Sequence, residues 1–274
     1  MKYVCVATEM KLYLPYLKQL LPDLVILGLN TPWEGFITKY KLLRTYLATL
    51  PDETPVCFID AYDVLPTKQF EHLETKYLAF MESHPAVKII VGYDKVDNFL
   101  HEYLCQLIFG MVDALRLNSG QFIGRAKHIR EMITHIFDTT ADFQTDQIEM
   151  TKYANQFKAE VYIDEPQEFF YVKSRPLQQV LLPSVGANVV GANVVGANVV
   201  GANVSTAAFI HANGNGLLDK FLRMEHGIQI NERWYYFIEN LRGVFKKIII
   251  YDKIYIKRKL AAWGLLRFPP DPPN

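Results

Sequence analysis

Two aspartates, Asp60 and Asp63, stand three residues apart in VCFIDAYDVLP, directly after the apolar run Val56 to Ile59. Such a run makes a strand buried on both faces, and two carboxylates at its mouth are costly to place without a partner. A hard divalent cation, which takes oxygen ligands, is the simplest partner. A turn in which the aspartates cap backbone amides is the other reading. Far along the chain, His211 follows the strand-like Phe209-Ile210 and opens HANGNG, His211 to Gly216. Its glycines free backbone amides to face an anion, and its imidazole is either a neutral metal ligand or a structural histidine. Lys39 and Lys41 lie near the start of a helical segment, Thr38 to Leu50. A lysine there works against the helix dipole unless an anion sits nearby, and is otherwise a solvated side chain. Asn118, Ser119 and Gly120 in LNSGQFIG read as a turn whose glycine lets backbone approach a ligand closely, or as an ordinary turn. Thr145 or Asp146, ahead of the periodic segment Ile148 to Phe157, suits the N-cap of a helix.

The elements that must position these groups follow an alternating pattern. Tyr3 to Ala7 reads as a strand, Leu12 to Leu21 as a helix and Leu24 to Leu27 as a second strand. A β-α-β opening predicts a parallel sheet with right-handed crossovers, and ligands gather beyond the carboxyl ends of its strands. Thr8, Asp60 and Asp63 fall on that edge. Further strands are expected at Val87 to Val91, Glu160 to Ile163 and Phe169 to Val172, and helices at Lys68 to Ser83 and His128 to Phe137. Trp33 lies in the loop from Asn30 to Phe36.

The 274 residues suit one large α/β domain or one domain with an appendage. Half are hydrophobic and 21% are charged, so a sizeable core is expected and general disorder is not. Lysines plus arginines equal aspartates plus glutamates, so no global field points to a nucleic acid partner, and none is expected. Cys5, Cys57 and Cys105 make neither a disulfide framework nor a zinc spacing. No signal peptide pattern opens the chain, and no apolar run approaches the ~20 residues of a membrane span. The expected location is cytoplasmic.

Taken together, these groups match the needs of sugar transfer from a nucleoside diphosphate: a cation for the growing negative charge, an aromatic for the base and a glycine turn for the sugar. VATE (Val6 to Glu9), the loop around Trp33, TKYKLLR (Thr38 to Arg44), FIDAYDVL (Phe58 to Leu65), LNSGQFIG, TDQ (Thr145 to Gln147) and HANGNG occur in one order over roughly residues 3 to 225. In that order they resemble the N-terminal glycosyltransferase domain of the procollagen lysine hydroxylases. The resemblance implies a GT-A-type, Rossmann-like α/β fold, with a mixed, mostly parallel sheet flanked by helices. It also implies manganese and a UDP-sugar donor carrying glucose or galactose. The acceptor it implies is a hydroxyl of a collagen-like protein (hydroxylysine or galactosyl-hydroxylysine) or of a glycan. By motif match Asp60, Asp63 and His211 are the metal ligands, and Tyr62 stacks on uracil. Thr8, Trp33 and Lys39 contact the donor, with Asn213, Gly214, Asn215 and Gly216 in the final motif. Asn118, Ser119 and Gly120 border the sugar. Asp146 takes the acceptor-side catalytic place with Asn118. Thr145 stands where the family has the first aspartate of Asp-Asp-Gln, the family's Gly-Gly-Gly run before the lysine is missing, and Ala212 interrupts its His-Gly-Asn-Gly.

Two segments stand apart. VGANV repeats four times between Val185 and Val204, which reads as a tolerated insertion in a surface loop. The glycosyltransferase-like domain is expected over 1–226, and 227–274 as a basic, aromatic extension with a helical appendage and a Pro-rich tail. Lysines and arginines at 246–259 are interleaved with Ile and Tyr. That pattern suits a helix packed on the domain with a solvated basic face, or peripheral contact with a membrane.

Overall fold

The computed structural model describes residues 1–94, 117–140, 143, 145–172, 206–212 and 218–230. Strand β1 (Lys2–Val6) leads through α1 (Leu14–Leu20) to β2 (Val25–Leu27), and the two strands pair in parallel. Helix α2 (Phe36–Leu47) returns the chain to β3 (Pro55–Ile59), which pairs in parallel with the other side of β1. After β4 (Val64–Pro66), a 3-10 turn (Lys68–His72) precedes α3 (Leu73–Ser83). Strands β5 (Ile89–Tyr93) and β6 (Leu117–Arg125) follow, then helices α4 (Ala126–Thr139) and α5 (Asp146–Gln156). Strands β7 (Val161–Asp164), β8 (Phe170–Val172) and β9 (Phe209–His211) and helix α6 (Asp219–His226) complete the described elements.

The main sheet has the order β2-β1-β3-β6-β5-β7, and β4-β9-β8 form a smaller one. Only β6 runs against the rest of the main sheet, so the sheet is mixed and mostly parallel, as expected. Alternation along its strands divides the core. Cys5, Cys57, Ile59, Ile90 and Ile123 face a layer that contains Leu14, Leu17, Tyr77 and the small sheet. Val4, Val56, Phe58, Val91 and Phe122 face the layer that contains Leu43, Ile129, Ile133 and Tyr153. Burying a side chain of this size contributes roughly 1.5–3 kcal/mol. Both free cysteines of the described residues, Cys5 and Cys57, are part of this packing.

Two expectations are corrected. Asn118, Ser119 and Gly120 are not a turn but part of β6, a nine-residue strand buried almost throughout and paired on both sides. The polar Asn-Ser-Gly triplet stays in the sheet because the pairing slips there. Val91 pairs with Phe122, but Gly92 pairs with Asn118, so residues 119–121 bulge with no partner on β5, while Gln121 stays opposite Ile59 on β3. A bulge of this kind re-aims side chains at a sheet rim. The helix expected over Lys68 to Ser83 begins as a 3-10 turn instead, with the Thr67 side chain accepting from Gln69 N. Among the described residues no helix is long and apolar enough to cross a membrane. The VGANV repeat, Cys105, Asn213, Gly214, Asn215, Gly216, the helical appendage and the basic segment 246–259 lie outside the described residues.

Candidate active site

The site is built where β1 and β3 end side by side. Strand β3 stops at Ile59, and the next backbone amide, Asp60 N, donates to Gly120 O at 2.7 Å. That bond ties the first carboxylate to the bulge of β6. Asp63 comes three residues later, at the entrance to β4. The register of the small sheet then explains how a histidine about 150 residues on reaches it. His211 lies opposite Val64, and Ala212 N donates to Asp63 O at 2.9 Å. Asp60, Asp63 and His211 each present one ligand-type atom, all within 4.8 Å of one another.

The state of the imidazole follows from its partners. Asn118 Oδ1 accepts from Gly120 N at 3.0 Å, which identifies it as the amide oxygen. The same oxygen lies 3.1 Å from His211 Nδ1, so Nδ1 carries the proton and donates. Nε2 is left with its lone pair. It is buried and makes no hydrogen bond, although Asp63 Oδ1 lies 3.3 Å away outside hydrogen-bond geometry. A buried imidazole nitrogen with no hydrogen bond, beside two carboxylates, fits a divalent cation. Burial disfavours a charge on His211, but Asp63 and then Asp60 outweigh it and hold its pKa above the ordinary value, so the carboxylates favour a positive charge at Nε2, whether a proton or a metal cation. Gly120 supplies the room. A Cβ at this position would fall 2.5 Å from Asp60 Oδ2 and 2.6 Å from His211 Cε1, so only glycine lets the bulge close on the site.

On the other side of Asp60 lies Lys39, on the second turn of α2. Its side chain is 5% exposed and sits 4.7 Å from the centroid of the Phe58 ring. The ammonium donates to Asp146 Oδ2 at 2.6 Å, to Ser119 O at 2.9 Å and to Asp60 Oδ1 at 3.4 Å. Burial disfavours the charge, but Asp146 and then Asp60 outweigh it and hold the lysine above its ordinary value. Asp146 is the first residue of α5 and is itself buried, with Ser119 Oγ donating to the same Oδ2 at 3.1 Å. Thr145 caps that helix by accepting from Ile148 N at 3.2 Å. Lys41, the other candidate on α2, points to solvent beside Glu34.

Tyr62 is held by its hydroxyl, which accepts from Thr8 N at 3.2 Å and Glu9 N at 3.3 Å and donates to Glu9 O at 3.2 Å. This pins the ring at the end of β1, with Lys11 Nζ 5.4 Å from its centroid. The fold thus gathers Asp60, Asp63, His211, Asn118, Ser119, Gly120, Lys39 and Asp146, and places Tyr62 with Thr8 next to them. Trp33 is set apart on the exposed loop before α2, where it meets Phe36 edge-on at 6.1 Å.

Three further residues on the elements around the site have no role assigned to them individually from the sequence. Gln147 Oε1 accepts from Ser119 N at 3.0 Å, and its Nε2 donates to Leu117 O, so the start of α5 is stitched to β6. Its place beside Asp146 at a helix start was the available signal. Gln121 is fully buried in the bulge with neither amide atom hydrogen-bonded. Asp164, fully buried at the end of β7 and paired with Gly92, accepts backbone N–H bonds from Glu168, Phe169 and Phe170 at 2.8–2.9 Å. No spacing in the sequence marks either of these two.

A family model described as the PLOD GT domain matches residues 3–234. No curated protein matches the chain. Among solved structures, a glycosyltransferase involved in the glycosylation of the major capsid of PBCV-1 is similar at 11% identity and a TM-score of 0.46, covering 78% of this chain and 96% of its own. The galactosyltransferase LgtC, in complex with donor and acceptor sugar analogues, is similar at 14% identity and a TM-score of 0.43, covering 86% of this chain and 99% of its own. Both scores lie below one half, too low for either neighbour to speak to the activity of this chain.

Proposed function

The chain belongs to the PLOD GT domain family, and on that premise we propose that it is a metal-dependent glycosyltransferase. It moves glucose or galactose from a UDP-sugar to an acceptor hydroxyl, such as hydroxylysine or galactosyl-hydroxylysine of a collagen-like protein. The observation that carries the reading is the buried Nε2 of His211, which makes no hydrogen bond, gathered with Asp60 and Asp63. A divalent cation held by these three residues, manganese by family resemblance, would neutralise the charge that grows on the diphosphate leaving group.

The chain's own residues do the rest. Asn118 holds Nδ1, so that Nε2 is the nitrogen that faces the carboxylates and would ligate a cation there. Tyr62, its hydroxyl occupied by the Thr8 and Glu9 backbone, offers its ring face to the uracil. Ser119 and Gly120 border the sugar. By motif match, Asn213 to Gly216, beyond Ala212 in the chain, would contact the diphosphate.

One observation favours a second reading, in which the domain binds UDP-sugar without transferring it. Asp146, the acceptor-side candidate, is engaged by Lys39 and Ser119. The deciding experiment measures UDP release from UDP-glucose and UDP-galactose with manganese, with and without a hydroxylysine peptide. Acceptor-dependent release that chelator abolishes supports transfer. Intact UDP binding with no release under any acceptor supports the binding module.

A further inference from the structure

Lysine has three N–H donors and no acceptor. In Lys39 all three are spent inside the protein, on Asp146, on the Ser119 carbonyl and on Asp60. The side chains of Lys39 and Asp146 are both nearly inaccessible, at 5% and 8% exposed. As it stands, the ammonium has no donor left for a diphosphate. What it does touch is one oxygen of a candidate metal ligand.

The two oxygens of Asp60 are used differently. Oδ1 accepts from Lys39. Oδ2 lies on the side of Gly120 and His211, since a Cβ at Gly120 would sit within 2.6 Å of both Oδ2 and His211 Cε1. Lys39 therefore fixes the rotation of the carboxylate and leaves the other oxygen toward the imidazole. Lys39 in turn is held by Asp146, and Asp146 by Ser119 Oγ and by its place at the start of α5. Ser119 N also donates to Gln147 Oε1.

We propose that Lys39 and Asp146 are positioning residues of the metal centre, acting through Asp60: Asp146 orients the lysine, and the lysine orients the carboxylate. The inference rests on the metal-centre reading of Asp60, Asp63 and His211. It assigns Asp146 to the ligand side of the site instead of to the acceptor. It also makes an opposite prediction from simple charge. Removing a cation from beside a metal site should tighten metal binding, whereas removing the group that aims a ligand should weaken it. Partners that orient metal ligands typically change affinity ~10–100-fold when lost.

The test is manganese binding alone to the full chain, followed by the electron paramagnetic resonance signal of the free ion, for wild type, Lys39→Met, Asp146→Asn and the double variant. The expected result is binding by wild type and a ~10–100-fold loss in Lys39→Met. Asp146→Asn should weaken binding, and should cost little more once Lys39 is gone, because it acts only through it. Lys39→Met leaves Asp146 as a buried, unpaired carboxylate, so the double variant, which removes both charges, carries the comparison if the single one does not fold. Manganese bound by Lys39→Met as tightly as by wild type, or more tightly, would overturn the proposal and leave the metal centre standing. Turnover lost in Asp146→Asn with manganese affinity unchanged would return that residue to the acceptor side and overturn its part. No manganese binding by wild type would overturn the metal-centre reading itself, and the proposal with it.

Discussion

At the residue scale the site separates groups that must be charged from groups that must be absent. Asp60 and Asp63 are the charged pair, and each is expected to be needed. Asp60→Asn and Asp63→Asn should each lower manganese-dependent UDP release by at least ~100-fold, since on the proposed reading a carboxylate ligand is lost. Their far-ultraviolet circular dichroism and Tm should stay near wild type. Activity that survives both changes, or that chelator does not touch, would remove the metal assignment. Gln121 is the opposite case. Its amide is fully buried beside Gly120 and satisfies neither donor nor acceptor. A buried polar group without a partner costs about 1–3 kcal/mol, and an unbranched apolar side chain of similar volume does not. Gln121→Met is therefore expected to raise Tm. A fall in Tm would mean the amide holds a buried water or ligand group that matters to the fold.

At the element scale, helix starts and strand ends hold the site together. Thr145 stands where the family carries aspartate, and its hydroxyl caps α5. Aspartate makes the same cap, so Thr145→Asp should change stability by no more than a few tenths of a kcal/mol, while Thr145→Ala should cost about 1 kcal/mol. Equal loss in both variants would show that the cap is not what the residue contributes. At the end of β7, burial pushes the Asp164 carboxyl up from 3.8 to about 6, against the three backbone amides it accepts from. The folded state then holds this proton more tightly than the unfolded chain. The contribution is fully present below pH ~4 and is lost as pH rises through ~6, up to about 3 kcal/mol for a shift of this size. Urea denaturation between pH 4 and 7 should show that decline superimposed on the rest of the titration, and Asp164→Asn should flatten it. A profile unchanged by the substitution would place the pH dependence elsewhere.

At the scale of the whole molecule, two sheets meet at one rim. The main sheet brings Asp60 and Gly120 together through β3 and β6, and the small sheet brings His211 to Asp63 through β4 and β9. Strands β8 and β9 pair in parallel, and the VGANV repeat lies in the chain between them. Parallel neighbours need a crossover of a dozen or more residues. Deleting 185–204 leaves 173–184 and 205–208 to make it. We propose that the repeat is a tolerated insertion, so the deletion should keep Tm within a few degrees and UDP release within about two-fold. Loss of the folded state would show that the repeat supports the domain.

Local pattern determined much of this protein. The apolar run before Asp60, the β-α-β opening and the helix periodicities placed the strand ends correctly, because each depends on residues close in sequence. Ordered motifs named Asp60, Asp63 and His211 together. Local pattern misread Asn118 to Gly120 as a turn, since Asn-Ser-Gly carries turn chemistry and the pairing that overrides it comes from β3 and β5. Only the tertiary structure decided which atom of His211 faces the aspartates, because that depends on Asn118 Oδ1, 93 residues away in sequence. The same holds for Lys39 and Asp146. Their charges are legible in the chain, but their pairing is a contact across 107 residues, made where α2, β6 and the start of α5 converge. Spacing along a strand or helix reports which residues share an edge. The hydrogen-bond partner of each group is set by packing between elements, and that is where this site acquires its chemistry.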